Sequence, residues 1–164
     1  MSVIGPKIVG RERLRQIAQL AREGGMGVTF TNGCFELFHR GHLDLLEEAA
    51  KLGDVLIVGV NSDLSFERYR KRSPWVSDSD RAATVAALEC VDFVCVFPEE
   101  SVLPLVEVVM PDILVKGGDY SSDFEIVGAH LVQSAGGAAL RIPAVWDRSS
   151  SQLIERIRDS KERD

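Results

Sequence analysis

Apolar positions along this chain recur at two periods, and the two alternate. From Arg11 to Arg22 they return at Leu14, Ile17 and Leu20, the spacing of one helix face, and Glu23-Gly24-Gly25 closes that helix with glycine at its C-cap. The run Gly27 to Phe30 reads as a buried strand, and Asn32-Gly33 is a turn signal that breaks it. Leu43, Leu46, Ala49 and Ala50 restore helical spacing to about Leu52. From Asp54 to Val60 the chain is almost continuously apolar, the mark of a strand covered on both faces.

The alternation continues to the end. Ser77 with Asp80 three residues on predicts a helix start, carried through Ala82, Val85, Ala86 and Leu88. Asp92 to Phe97 is a strand, and Ser101 to Met110 a helix whose Pro104 is tolerated because it lies in the first turn. Asp112 to Val115 is a further strand, Asp123 to Ser134 a helix and Ala138 to Ile142 a last short strand. An amphipathic helix from Ser151 to Asp159 carries Leu153, Ile154 and Ile157. Lys7-Ile8-Val9 is a short extended lead-in. Strands alternating with helices predict an α/β fold, a parallel sheet of about five strands with helices on both faces. With no repeat or linker, residues 1–164 read as one domain.

Composition removes some classes of partner. A net charge of −6 and a pI near 5.1 argue against nucleic acid, which leaves a basic footprint. Neither a secretory signal nor a long apolar span is evident, so no membrane association is expected. The three cysteines Cys34, Cys90 and Cys95 are odd in number and suit a reduced, cytoplasmic setting, Cys90 and Cys95 as core fillers.

Polar clusters fall just beyond predicted strand ends. The first is Thr31-Asn32-Gly33-Cys34-Phe35-Glu36, followed by His39, Gly41 and His42 at a helix start. The second is Asn61-Ser62-Asp63, the third Lys116 to Tyr120, and a fourth, Arg148-Ser149-Ser150-Ser151, precedes the final helix. Right-handed crossovers bring all strand C-termini to one sheet edge, so these remote segments can converge there. Helix starts offer free N–H groups to an anion. Serine is equally an ordinary helix cap, and Gly117 and Gly118 equally suit a plain turn. Between Leu64 and Pro74, Arg68, Arg70, Lys71 and Arg72 fit either a solvated loop or a cationic lid over a polyphosphate. Gly24, Gly25 and Gly27 precede their strand, which excludes a dinucleotide fingerprint. No local Cys or carboxylate completes a metal site with His39 and His42, so no protein-held metal is expected.

The string from Thr29 to His42 resembles the nucleotidyltransferase superfamily marked by a His-x-Gly-His signature. Within it the chain is most similar to adenylyltransferases that make ADP-heptose from a heptose 1-phosphate, with glycerol-phosphate and ethanolamine-phosphate cytidylyltransferases as cousins. The resemblance runs from about Lys7 to Arg158 and includes the string Lys116-Gly117-Gly118-Asp119-Tyr120. It implies a Rossmann-like sheet. It also implies a nucleotide pocket built from Thr31, Asn32, Gly33, Cys34, Phe35, His39, Gly41, His42, Lys116, Gly117, Gly118, Ser149, Ser150 and Ser151. His39, His42, Lys71 (or Arg70 in its place) and Arg148 would act in catalysis, and Glu36, Asn61, Asp63, Arg81, Asp119 and Tyr120 would face the second substrate. The bland alternative for Arg81 is a surface ion pair with Asp78 or Asp80. Glu36 stands where relatives show aspartate, and the basic loop is shorter than their Lys-Gly-Pro-Gly-Arg-Pro pattern.

The implied reaction joins ATP, with Mg²⁺ bridging its phosphates, to a sugar 1-phosphate, and ADP-heptose would feed cell-surface polysaccharide. The resemblance further implies a homodimer and, with no kinase portion in these residues, a separate sugar kinase upstream. Two other readings stand beside it: a cytidylyltransferase using CTP and a small phosphorylated alcohol, and a nucleotide-binding regulatory module without turnover.

Overall fold

A computed structural model describes residues 7–118, 126–143 and 150–161. The described residues form, in chain order, α1 (Arg11–Glu23), β1 (Val28–Gly33), α2 (Arg40–Ala50), β2 (Val55–Asn61), α3 (Asp63–Arg70), α4 (Asp78–Ala86), β3 (Phe93–Phe97), α5 (Leu103–Val109), β4 (Ile113–Gly117), α6 (Ala129–Ser134), β5 (Ala138–Ile142) and α7 (Ser150–Lys161). All strand pairs are parallel, in the order β3-β2-β1-β4-β5, so the chain reverses its direction of growth between β1 and β4. This is the Rossmann-like arrangement, and that reversal is where an open parallel sheet forms its crevice.

Two apolar layers sandwich the sheet. On one face Leu14 and Ala18 of α1, Leu105 and Val109 of α5 and Val132 of α6 pack on Val28, Phe30, Ile57 and Leu114. On the other, Leu46 and Ala49 of α2 and Ala82, Val85 and Ala86 of α4 pack on Leu56, Val58, Val60 and Val115. β2 sends alternate side chains to opposite layers, which is why both parities of its sequence are apolar. Each fully buried Leu or Phe here stabilises the fold by about 1.5–3 kcal/mol relative to exposure. Cys95 is 2% exposed and fills the first layer, and Cys90 packs against the second.

Three expectations shift. β1 does not stop at Asn32-Gly33; it continues through both, paired with Gly59 and Val60, and the break falls at Phe35, whose φ is 50°. The segment after Asn61 is not a loop but opens with helix α3, begun by the Ser62 side chain accepting from the Ser65 N–H at 3.1 Å. Within the described residues the helix expected over 123–134 begins only at Ala129, because Gly128 adopts φ 91° immediately before it.

Gly53, between α2 and β2, has no room for a side chain: a Cβ would lie 2.6 Å from Thr29 Oγ1 and 2.7 Å from the Gly27 carbonyl oxygen. Gly53→Ala is therefore expected to destabilise the protein by about 1–3 kcal/mol in urea unfolding; a change within about 0.5 kcal/mol would mean that the α2–β2 joint yields freely.

Candidate active site

A cleft of about 570 Å³ opens at the C-terminal edge of the sheet, walled by the ends of β1, β2, β4 and β5 and by the start of α2. Its lining brings together Asn32, Gly33, Cys34, Phe35, Glu36, His39, Gly41, His42, Asn61, Lys116, Gly117 and Gly118, segments that are remote in sequence.

The two histidines are organised by the helix they open. His39 is the N-cap of α2, and its Nδ1 accepts from the Gly41 N–H at 3.1 Å. That bond requires Nδ1 to be unprotonated, so neutral His39 carries its hydrogen on Nε2 as a donor. The His42 ring stacks on it at 3.9 Å between centroids and packs against Phe35 and Phe38 at 5.2 and 5.5 Å. Burial lowers the His39 pKa. Burial, with His39 as a like-charged neighbour, lowers His42 from 6.5 to about 4. His42 Nδ1 is buried and makes no hydrogen bond among the described residues. The pair is therefore neutral at pH 7 and sits on the positive end of the α2 dipole.

Cations stand around this neutral centre. Lys116, next to last in β4, reaches the Asn32 carbonyl at 3.4 Å; burial lowers its pKa, and Arg141 pushes the same way. Arg141 is its register partner on β5 and also lines the cleft. Arg70, at the end of α3, lines the cleft and lies over the Tyr69 ring at 5.1 Å, whereas Lys71, in left-handed conformation at φ 57°, is exposed and outside the lining. Burial pushes the Cys34 thiol up against the pull of Arg70, Arg81 and Lys116.

Other expected residues take different places. Thr31 is fully buried within β1, its hydroxyl without a partner among the described residues. Asn61 lines the cleft while its amide donates to Ser65 Oγ at 2.8 Å. Glu36 reaches the wall with its carboxylate already bonded to Arg72 and the Trp75 N–H. Arg81 is neither on the surface nor in the lining: 1% exposed, it donates to the Val76 and Cys34 carbonyls at 2.9 and 2.6 Å and to Asp63 at 2.8 Å. Asp119, Tyr120, Arg148 and Ser149 lie outside the described residues, and of Ser150 and Ser151 only their place at the start of α7 is described. Arg141 and Tyr69 were not anticipated. The signal for Arg141 was its position near the end of a predicted strand.

Comparison with known proteins identifies the family of the chain. The cytidylyltransferase-like family profile matches residues 30–156, and the chain belongs to that family. It is 47% identical over 157 residues to the bifunctional protein HldE of Syntrophotalea carbinolica, covering 95% of this chain and 32% of that protein. With the bifunctional protein HldE of Trichlorobacter lovleyi it is 44% identical over 152 residues, covering 92% and 31%. The chain thus spans about a third of the length of the curated relatives it matches. Among solved structures it is similar to the lipopolysaccharide core biosynthesis protein of Thermoplasma volcanium, with TM-score 0.61 and 29% identity over 75% of this chain and 100% of that one. The fold is also that of a Francisella tularensis pantoate-beta-alanine ligase, with TM-score 0.62 and 16% identity over 88% of this chain and 68% of that one.

The His42 shift has a measurable consequence. Its folded pKa lies below the unfolded one, so the unfolded chain binds more protons between pH 6.5 and 4. The associated stability is complete above pH 6.5 and is lost as pH falls toward 4. His42→Asn is expected to lose less stability than the parent across that window, by on the order of 3 kcal/mol in urea unfolding. Parallel pH profiles would show that the imidazole is not desolvated.

Proposed function

We propose that these residues form one nucleotidyltransferase domain that transfers AMP from MgATP to a heptose 1-phosphate, releasing pyrophosphate and forming ADP-heptose. The observation that carries this reading is the stacked, neutral His39–His42 pair at the start of α2, sharing one cleft with Lys116 and Arg70. The Lys116-to-Tyr120 string favours the heptose adenylyltransferases within the family, and the likeness to a lipopolysaccharide core biosynthesis protein points the same way.

In this reaction an ionised oxygen of the sugar phosphate attacks the α-phosphorus of ATP in line. A new P–O bond forms, the bond to the β-phosphate oxygen breaks, and pyrophosphate departs with the electron pair. No protein nucleophile takes part. The protein must hold two anions together, and positioning of that kind can lower a barrier by about 7–11 kcal/mol. His39, through Nε2–H, and His42 donate to the triphosphate. Because both start neutral, they do so without losing the solvation of a charge. Arg70 supplies the lid cation, and Lys116 meets the nucleotide beside Gly117 and Gly118, where the backbone allows close approach. Ser149, Ser150 and Ser151, with Arg148, receive the β- and γ-phosphates at the start of α7. Mg²⁺ would arrive on the triphosphate as part of the substrate, held mainly by phosphate oxygens. A homodimer and a sugar 1-phosphate formed by a sugar kinase activity complete this reading. Among the described residues no helix is long and apolar enough to cross a membrane.

Pyrophosphate release screened over nucleoside triphosphates and sugar phosphates tests the assignment. Release is expected with ATP and a heptose 1-phosphate. His42→Ala is expected to lower kcat/KM by about 10²–10³, as removal of one preorganised donor does. Release only with CTP and a small phosphorylated alcohol would transfer the chain to the cytidylyltransferase reading. Tight nucleotide binding without turnover would make it a regulatory module.

A further inference from the structure

At the wall of the cleft the α3–α4 connection meets the β1–α2 loop through a partly buried ion pair. Glu36 is 6% exposed, and both its oxygens accept from the Arg72 fork, at 2.7 and 2.6 Å, while Oε1 also accepts from the Trp75 N–H at 2.8 Å. Arg72 donates as well to the Ser73 carbonyl at 3.0 Å, and its guanidinium lies 5.1 Å from the Phe66 ring and 5.9 Å from that of Trp75. Each partner follows a non-glycine residue in left-handed conformation: Phe35 at φ 50° before Glu36, and Lys71 at φ 57° before Arg72. Such backbone costs about 1–2 kcal/mol per residue and persists only where the surroundings enforce it. Burial works to raise the Glu36 pKa, and the Arg72 and Trp75 bonds overcome it, holding the carboxyl below the usual range.

These bonds restrict what Glu36 can do. A carboxylate facing a triphosphate repels it, and this one already receives three N–H groups. The basic residue it fixes is two positions from Arg70, which lines the cleft. We propose that Glu36 and Arg72 form a latch that fixes the end of α3 and so presents Arg70 to the triphosphate, making Glu36 a positioning residue. The inference rests on the nucleotidyl-transfer reading for its effect on rate, and on the geometry alone for the latch. An arginine on a loosely held chain end would surrender rotamer freedom on every binding event; the latch removes much of that cost in advance. Bidentate pairing gives the latch its direction as well as its strength.

Glu36→Gln is the variant of choice, because its amide keeps the shape but presents N–H groups to one side of the Arg72 fork. In a double-mutant cycle, Arg70→Ala alone is expected to lower kcat/KM for MgATP by about 10²-fold. In the Glu36→Gln background it should lower it by less than about threefold further, because Arg70 is already misplaced. Arg72→Ala should reproduce the Glu36→Gln loss. Losses at positions 36 and 70 that multiply fully would overturn the proposal and make Glu36 an independent ligand or a purely structural residue. A second readout does not need activity. Trypsin cuts after Arg70, Lys71 and Arg72, and an opened latch should raise the cleavage rate there by about tenfold or more while far-UV circular dichroism stays unchanged. An unchanged cleavage rate would also overturn the latch. If the parent chain releases pyrophosphate with no substrate pair, the reaction assignment fails, and the trypsin comparison still decides the latch.

Discussion

A guanidinium that is 1% exposed needs a partner for its charge and its donors, and the way Arg81 meets that demand governs the geometry of the cleft. Its three hydrogen bonds gather the Cys34 carbonyl from the end of β1, Asp63 from the first turn of α3 and the Val76 carbonyl just before α4. Asp78 adds a fourth tie by accepting from the Asp63 N–H at 3.0 Å. Three segments from different parts of the chain therefore cannot move independently. The turn they hold runs through Phe35 and Glu36 toward His39, so a cation outside the cleft lining sets the entry angle of the chain into α2.

Within that frame the site divides its work by charge. The centre is two stacked imidazoles whose burial keeps them neutral, and the cations Lys116, Arg141 and Arg70 stand at the walls. A cationic centre of the same size would suffer like-charge repulsion whenever no anion was present. Neutral donors on a helix start avoid that repulsion. The reversal of strand order between β1 and β4 makes the arrangement possible, because it opens a crevice with α2 on one side and the Lys116-Gly117-Gly118 turn on the other.

Much of this was legible in the sequence because it depends on local pattern. Alternating periods marked the strands and most helices, and the histidine signature marked the start of α2. What escaped depends on distant partners. Asn32-Gly33 is a turn signal in isolation, but here both residues are held in the sheet by β2, and tertiary pairing wins over local preference. α3 escaped because Leu64 and Tyr69 are exposed and Phe66 is its one large buried apolar side chain. Its start is secured by Ser62 and by the Asp63–Arg81 pair, and Arg81 lies 18 positions away. The basic run at 70–72 gave no hint of which residue enters the cleft, since the carboxylate that claims Arg72 lies 36 positions upstream. Arg81 was expected at the second substrate; its burial could be read only once α4 had been packed on the sheet.

The lead-in to α1 has a consequence of another kind. Ile8 forms a single parallel bridge with Val94, Val9 donates to the Val94 carbonyl at 2.9 Å, and Lys7 Nζ donates to the Leu88 and Val91 carbonyls at 3.0 and 2.7 Å. These few bonds lie along the outer border of β3, where an unshielded row of peptide groups would invite a strand from another molecule. The short segment from Lys7 to Val9 thus occupies part of that border, and leaves less of it open to a strand from outside.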